Sequence, residues 1–158
     1  MSKIRKKAVY QFIYREARLI DDKQFDDWYA LFTDDALYWM PLKHNQTEGE
    51  VYNSLFYEDK LMLKIRIERL KQTDVPSQMP PSYCQHVLQQ PHIESLEDNQ
   101  CETRTPFIYV ESQMDNQFIL TGTIHHQLIV EDGGFRIQRK RIELLNRKAA
   151  LPSIQLFP

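Results

Sequence analysis

A change in apolar periodicity divides the chain into two parts. Between residues 4 and 20, apolar side chains recur every three or four positions, which predicts an amphipathic helix. From Tyr83 onward, apolar and polar residues tend to alternate, which predicts strands. We place these strands near 83–97, 101–113, 117–131 and 134–146. Helices followed by a long antiparallel meander predict an α+β fold, in which a single domain over residues 1–158 wraps a curved sheet on a helical layer.

The region between these two parts contains shorter elements. Asp21 or Asp22 can cap a second helix, because apolar residues follow at helical spacing. These residues are Phe25, Trp28, Tyr29 and Phe32. The run TDDALYWMP at 33–41 predicts a short strand that ends at its proline, and residues 43–50 are loop-like. The three prolines of KQTDVPSQMPPSY at 71–83 predict an irregular connection.

Turn chemistry marks the last hairpin. The sequence EDGG at 131–134 predicts a tight turn, since glycine readily takes a positive φ. The apolar side chains change parity along the strand that follows this turn. A bulge or strong twist near Arg139–Arg141 would restore them to one face.

Residues 57–70, YEDKLMLKIRIERL, carry two conflicting signals. From Leu61 to Ile67 apolar and polar residues alternate strictly, as in a half-buried strand. The same stretch is rich in Leu, Met, Lys, Arg and Glu, which favour a helix. Periodicity alone leaves both structures open.

Size and charge limit the classes of partner. The 158 residues suit one domain with a substantial core, and a net charge of -2 gives no general attraction for nucleic acid. Apolar runs are short of the roughly 20 residues that cross a bilayer, and the first residues lack a signal-peptide pattern. Two cysteines are too few for a disulfide framework. We therefore expect a reduced, cytoplasmic protein without a nucleic-acid or membrane partner.

Cys84 and His86 form a Cys-x-His pair, which is half of a Rieske iron–sulfur site. The other half requires Cys-x-x-His, but Cys101 is followed at that spacing by Arg104. A cluster in this chain is therefore disfavoured. The simpler interpretation is a strand whose thiol and imidazole share one face.

The five histidines also fail to give a two-His-one-carboxylate iron site. His125 and His126 are adjacent on a strand and point to opposite faces. His86 and His92 share parity but lie about 20 Å apart in an extended strand. His44 has no partner nearby in the sequence. We predict no metal site in this chain.

A cavity with a general acid or base is the stronger enzyme hypothesis. A sheet curled against helices is concave, and His86, Tyr57 and Asp59 are the groups that we would test in it. The alternative is that side chains fill the cavity and the histidine is simply hydrogen-bonded. The sequence contains no nucleophile elbow, glycine-rich nucleotide loop or His-Glu-x-x-His motif.

Four ordered blocks resemble the small (beta) subunit of bacterial aromatic-ring-hydroxylating dioxygenases. They are EARLIDDKQFDDWYALFTDDALYWMPL at 16–42, YEDKLMLKIRIERL at 57–70, PPSYCQHVLQQPHIE at 80–94 and GGFRIQRKRIELLN at 133–146. The resemblance implies a cone-shaped α+β fold of the cystatin-like, ketosteroid-isomerase-like type. It also implies that 57–70 is a helix with a wide apolar arc, buried on more than one side. Its charged residues Lys64, Arg66, Glu68 and Arg69 would then contact neighbouring subunits or solvent.

The resemblance further implies a non-catalytic structural role in the degradation of aromatic compounds. The Rieske 2Fe-2S cluster and the mononuclear iron are expected in a large (alpha) partner subunit, typically within an α3β3 hexamer. No catalytic, cofactor-binding or metal residue is then expected here. The connection KQTDVPSQM departs from the acidic, tryptophan-containing one of naphthalene- and biphenyl-type members, which points weakly to partners that act on aromatic acids. A stand-alone isomerase or dehydratase with a cavity acid or base, and a binding or scaffold module, remain the alternatives.

Overall fold

The α+β layout is confirmed by a computed structural model, which describes residues 3–42, 54–72, 75–145 and 152–158. Its helices are α1 (Lys3–Asp21), α2 (Phe25–Tyr29) and α3 (Lys60–Lys71). Its strands are β1 (Phe32–Pro41), β2 (Ser54–Asp59), β3 (Tyr83–Leu88), β4 (His92–Leu96), β5 (Gln100–Gln113), β6 (Asn116–Glu131) and β7 (Gly134–Leu144). A short 3₁₀ helix, Pro76–Gln78, lies in the proline-rich connection. The predicted loop at 43–50, including His44, lies outside the described residues.

One seven-stranded sheet carries the fold. Its strand order is β2-β1-β7-β6-β5-β3. Strand β4 also pairs with β5, at a different position along β5 from β3. All pairs are antiparallel except β1 and β7, which run parallel with Tyr38 opposite Lys140. The predicted antiparallel sheet is therefore a mixed one. The sheet is curved, and apolar side chains of α1 such as Val9, Ile13 and Ile20 are buried in the core with those of the sheet.

The second helix is shorter than predicted. Helix α2 ends at Tyr29, and Phe32, which we expected in the helix, is the first residue of β1. The reason is pairing with the sheet: the carbonyl of Leu31 accepts a 2.7 Å hydrogen bond from the amide of Ile137. The predicted N-cap of this helix is also wrong. Gln24 is the N-cap residue of α2, and its side chain makes no capping hydrogen bond. Asp21, one of the two predicted caps, is instead the last residue of α1.

The prediction of a helix over 57–70 is confirmed from Lys60 onward and wrong before it. Tyr57 and Glu58 belong to β2, where they pair with β1. Asp59 is the N-cap of α3, and its carboxylate accepts a 2.9 Å hydrogen bond from the amide of Met62. The carboxylate satisfies one of the amides that a helix start leaves unpaired, which fixes where the strand ends and the helix begins.

Helix α3 buries one side only. Leu63 and Ile67 are buried, whereas Leu61 and Ile65 are 65% and 47% exposed. The expected burial on a second side is therefore not found among the described residues. Several charged residues of α3 contact the chain itself: Arg66 forms an ion pair of 3.1 Å with Glu58, and Lys71 forms one of 2.6 Å with Asp26.

Proline breaks the first predicted strand of the second half. The single strand expected over 83–97 is divided into β3 and β4 around residues 89–91, which include Pro91. Proline has no amide hydrogen for a sheet ladder, so the chain leaves β5 here and rejoins it further along. The sequence therefore contained the signal for this break.

The last hairpin confirms the predicted turn and nearly confirms the bulge. Asp132 and Gly133 take positive φ values of 48° and 75°, as a two-residue hairpin requires, whereas Gly134 already pairs in β7. Gln127 of β6 pairs with Arg139 and the next residue pairs with Ile137. The extra residue is thus Gln138, just before the predicted segment.

No helix in the described part of the chain is long and apolar enough to cross a membrane.

Candidate functional site

Residues 156–158, at the end of the segment 152–158, are buried in the core beneath the curved sheet. Phe157 is fully buried, and its ring centroid lies 4.5 Å from that of Trp28 and 5.9 Å from that of Tyr38. The hydroxyl of Tyr38 donates a 3.0 Å hydrogen bond to the carbonyl of Pro158. The guanidinium of Arg66 lies 4.6 Å from the Phe157 ring centroid. The concave space that an enzyme of this shape would keep for a substrate therefore contains aromatic side chains.

Glu111 of β5 holds this segment from the sheet side. Its carboxylate accepts hydrogen bonds from the amides of Gln155 and Leu156, both at 2.9 Å. The same carboxylate accepts a 2.6 Å hydrogen bond from the hydroxyl of Tyr109. Burial raises the pKa of Tyr109 far above its usual value, which keeps this hydroxyl a donor. Glu111 is thus used structurally.

A second buried carboxylate, Glu16 of α1, gathers donors from three other elements. It accepts hydrogen bonds from Trp28 at 2.6 Å, Lys140 at 2.8 Å and His126 at 3.1 Å. The Glu16, His126 and Lys140 side chains are at most 1% exposed. The cluster ties α1 to α2, β6 and β7 without contact with solvent.

Charge pairing compensates the burial of Glu16. Burial alone would raise the pKa of Glu16, but the Lys140 ammonium and then the hydrogen bond from His126 hold it well below its usual value. Burial lowers the pKa of His126 below its usual value, although the hydrogen bond and the charge of Glu16 act to raise it. The arrangement suits a permanent ion pair, because the buried charge is compensated in place.

A third polar cluster joins the end of α1 to β3. Asp21 Oδ1 lies 2.6 Å from His86 Nδ1 and 3.6 Å from Cys84 Sγ. Asp21 Oδ2 accepts the backbone amide of His86 at 2.9 Å. The His86 side chain is fully buried, and its Nε2 has no hydrogen-bond partner among the described residues. Burial and then the charge of Asp21 raise the pKa of the Cys84 thiol to about 12.

The three groups that we would test as acid or base, His86, Tyr57 and Asp59, do not come together. His86 lies on β3 and Tyr57 on β2, at opposite ends of the strand order. Tyr57 packs edge-on against Trp39, with ring centroids 5.9 Å apart, and Asp59 is occupied as the cap of α3. These three candidate groups therefore do not line one cavity, which agrees with the alternative that side chains fill the space. Three surface cavities of about 450, 700 and 210 Å³ are lined by other residues.

The remaining described histidines are also separated. His125 and His126 point to opposite faces as predicted, with the first 29% exposed and the second buried. His86 pairs with Tyr109 and His92 with Arg104 on β5. Because these β5 partners are five residues apart, the two histidines lie on opposite faces and about 17 Å apart along the strand.

Comparison with known proteins decides the family. Residues 15–149 match the family described as Ring hydroxylating beta subunit. The chain belongs to this family. It is 28% identical over 140 residues to the small oxygenase component of the p-cumate 2,3-dioxygenase system of Pseudomonas putida, covering 87% of this chain and 78% of the relative. It is 27% identical over 146 residues to the anthranilate 1,2-dioxygenase small subunit of Acinetobacter baylyi, covering 89% and 90%.

A solved structure of another beta subunit confirms the fold of this family member. The beta subunit of the benzoate 1,2-dioxygenase from Burkholderia mallei superimposes with a TM-score of 0.75. The match covers 94% of this chain and 95% of the other at 23% identity. Recognition of the family from its four ordered blocks is therefore confirmed.

Sequence reasoning missed the polar clusters around Glu16 and Asp21 in this beta-subunit chain. Cys84 and His86 were noticed because they share a strand face, but Asp21 reaches them only through the packing of α1 on β3. Glu16 and Lys140 are more than a hundred residues apart, so no local sequence spacing predicts that they form a pair. The sequence did contain one signal for Lys140. It lies two residues before Ile142 on β7, so both side chains point to the buried face of that strand.

Proposed function

We propose that this chain is a non-catalytic structural subunit of an aromatic-ring-hydroxylating dioxygenase. It supports a large subunit that carries a Rieske 2Fe-2S cluster and a mononuclear iron. The family match over residues 15–149 supports this role, as do relatives that are described as small components of dioxygenases. The complex is an α3β3 hexamer and acts in the cytoplasm.

The observation that carries the proposal is the filled interior. An isomerase or dehydratase of this shape needs an open pocket that brings its acid or base to the substrate. In this chain Phe157 is fully buried against Trp28 and Tyr38, and the His86 side chain is fully buried as well. The acid/base alternative is therefore not favoured.

Exposed apolar side chains are consistent with a subunit that associates with others. Leu61, Met62 and Ile65 lie exposed on α3, and Val87 and Ile119 are exposed on the sheet. Large apolar side chains in water favour association, since their burial releases about 25 cal/mol per Å².

The p-cumate and anthranilate systems among the relatives support an aromatic acid as the substrate of the complex.

The test is coexpression with a candidate large subunit, followed by native mass and iron analysis. We expect a mixed hexamer that contains iron and oxidises an aromatic acid, and a lone chain that contains neither iron cofactor. A chain that ignores every candidate partner and remains a small homo-oligomer would contradict the proposal. It would instead favour a stand-alone enzyme or a scaffold module.

Two conservative variants separate the structural role from the acid/base alternative. Asp59→Asn keeps a side chain that can cap α3, and Tyr57→Phe keeps the ring that packs against Trp39. We expect both mixed hexamers to retain wild-type turnover. A loss of turnover, with hexamer formation and iron content intact, would show that these groups take part in chemistry.

A further inference from the structure

The cluster of Asp21, Cys84 and His86 brings three kinds of metal-ligand atom together. A carboxylate oxygen, a thiol sulfur and an imidazole nitrogen all lie within 4.8 Å of one another. Cys84 and His86 are two residues apart on β3, so their side chains share one face of the strand. Asp21 is brought to that face by the end of α1. The three atoms therefore converge from two elements that the fold fixes independently.

The spacing is close to what a tetrahedral zinc ion requires. Zinc bonds of about 2.0 Å to oxygen or nitrogen and 2.3 Å to sulfur place neighbouring ligand atoms about 3.3–3.7 Å apart. The Asp21 Oδ1 to Cys84 Sγ distance of 3.6 Å already lies in this range. The Asp21 Oδ1 to His86 Nδ1 distance is a 2.6 Å hydrogen bond, which an ion would open by about 0.7 Å.

We propose that Asp21, Cys84 and His86 form a mononuclear site for zinc or a similar borderline divalent cation. The thiolate and imidazole select this class of ion over magnesium and calcium, which prefer oxygen ligands. Three protein ligands leave a fourth position for water. The Asp21 side chain keeps 20% exposure, which gives the ion a route from solvent. Binding replaces the proton of the Cys84 thiol and ties the end of α1 to β3.

This site differs from the Rieske half-site that the sequence suggested. A Rieske cluster needs two Cys and two His, whereas this ligand set is complete for one ion once Asp21 is included. The inference does not depend on the proposed function, because all three ligands belong to this chain. The test of this site is also independent of dioxygenase activity, because it measures metal binding to this chain.

The first experiment is a cobalt(II) titration of the metal-free full chain. Cobalt takes zinc sites and reports its ligands by visible absorption. We expect one equivalent to bind with ligand-field bands of a tetrahedral ion and a thiolate-to-cobalt charge-transfer band in the near ultraviolet. Zinc should displace the cobalt and abolish both signals. No stoichiometric binding, or binding without the charge-transfer band, would overturn the proposal, and neither result requires a variant to fold.

Variants then assign the ligands. Cys84→Ser should remove the charge-transfer band, and Asp21→Asn and His86→Gln should weaken zinc binding by at least about tenfold, measured against a chromophoric chelator. The matched controls are Cys101→Ala and His92→Gln, which alter a cysteine and a histidine outside the cluster. We expect the controls to bind as the wild type does. Equal zinc affinity in wild type and Cys84→Ser, or loss of the band in Cys101→Ala, would contradict this assignment.

Discussion

Substitution of Lys140 by methionine is the sharpest test of the buried ion pair. Lys140→Met removes an ammonium that lies 2.8 Å from Glu16 and keeps an unbranched side chain of similar length. The two side chains are 0% and 1% exposed, so water cannot compensate the carboxylate that remains. Breaking one side of a buried ion pair costs about 3–5 kcal/mol. Typical domains have about 5–15 kcal/mol of stability, so the variant should be folded but marginal.

Urea unfolding followed by circular dichroism measures this loss. With a denaturant slope of about 2 kcal/mol per M, a loss of 3–5 kcal/mol lowers the midpoint by about 1.5–2.5 M at pH 8. Lys7→Met is the matched control, because Lys7 is an exposed lysine on the same helix as Glu16. We expect the control to change stability by no more than about 0.5 kcal/mol.

The pH dependence gives the sign of the effect. In the wild type, Glu16 has a pKa below its unfolded value, so its contribution is complete above that value and is lost as the pH falls through the folded pKa. His126 has a folded-state pKa below its unfolded value of 6.5, so the folded protein disfavours the protonated imidazole. The stability therefore falls as the pH drops below 6.5. Without Lys140, burial raises the pKa of Glu16, and acid then relieves the unpaired charge. The penalty of Lys140→Met should therefore shrink between pH 8 and pH 5.

Two results would refute this reasoning. One is a loss below about 1 kcal/mol at pH 8, which would mean that Glu16 is compensated in another way. The other is a penalty that grows on acidification. The double variant Glu16→Gln with Lys140→Met should regain part of the loss, since it leaves no uncompensated charge.

Three further substitutions test the local structure. Asp59→Ala should lower the unfolding free energy by about 1 kcal/mol, because the amide of Met62 loses its cap, and an unchanged thermal midpoint would contradict the capping geometry. Gly122→Ala should lose about 3 kcal/mol or more, since an added Cβ would collide with the carbonyl oxygen of Glu143, and wild-type stability would refute this close approach. Phe157→Ala should cost about 3–5 kcal/mol in urea unfolding, because its ring is enclosed by other aromatic rings, and a loss under 1 kcal/mol would show that the interior is not packed around it.

Periodicity predicted most elements because a strand or helix with one buried face repeats its apolar residues at a fixed interval. It failed where tertiary pairing overrode local preference. Tyr57 and Glu58 continue a strand because β1 offers them partners, although the resemblance placed them in a helix. Leu61 and Ile65 complete an apolar pattern in the sequence but face solvent in the free chain. A pattern shows which residues are apolar, and only the fold shows what covers them.

The polar clusters lay beyond local reasoning for a different reason. Local spacing relates residues on one element, as for Cys84 and His86, but it does not tell which helix end will meet that strand. Asp21 was read as a helix cap because aspartate is common there. In the structure it closes the preceding helix and binds the imidazole of His86. The sequence left a filled interior open as one of two possibilities, although nothing in it identified Phe157 as the residue inside.

The parallel pairing of β1 with β7 has a consequence for synthesis of the chain. Tyr38 cannot meet its neighbour Lys140 until β7, about a hundred residues further along the chain, has left the ribosome. Until then the carboxylate of Glu16 lacks the ammonium that compensates its charge. Contacts between distant residues also slow folding, since a long loop must close first. Nascent chains should therefore complete this part of the core only after β7 has emerged.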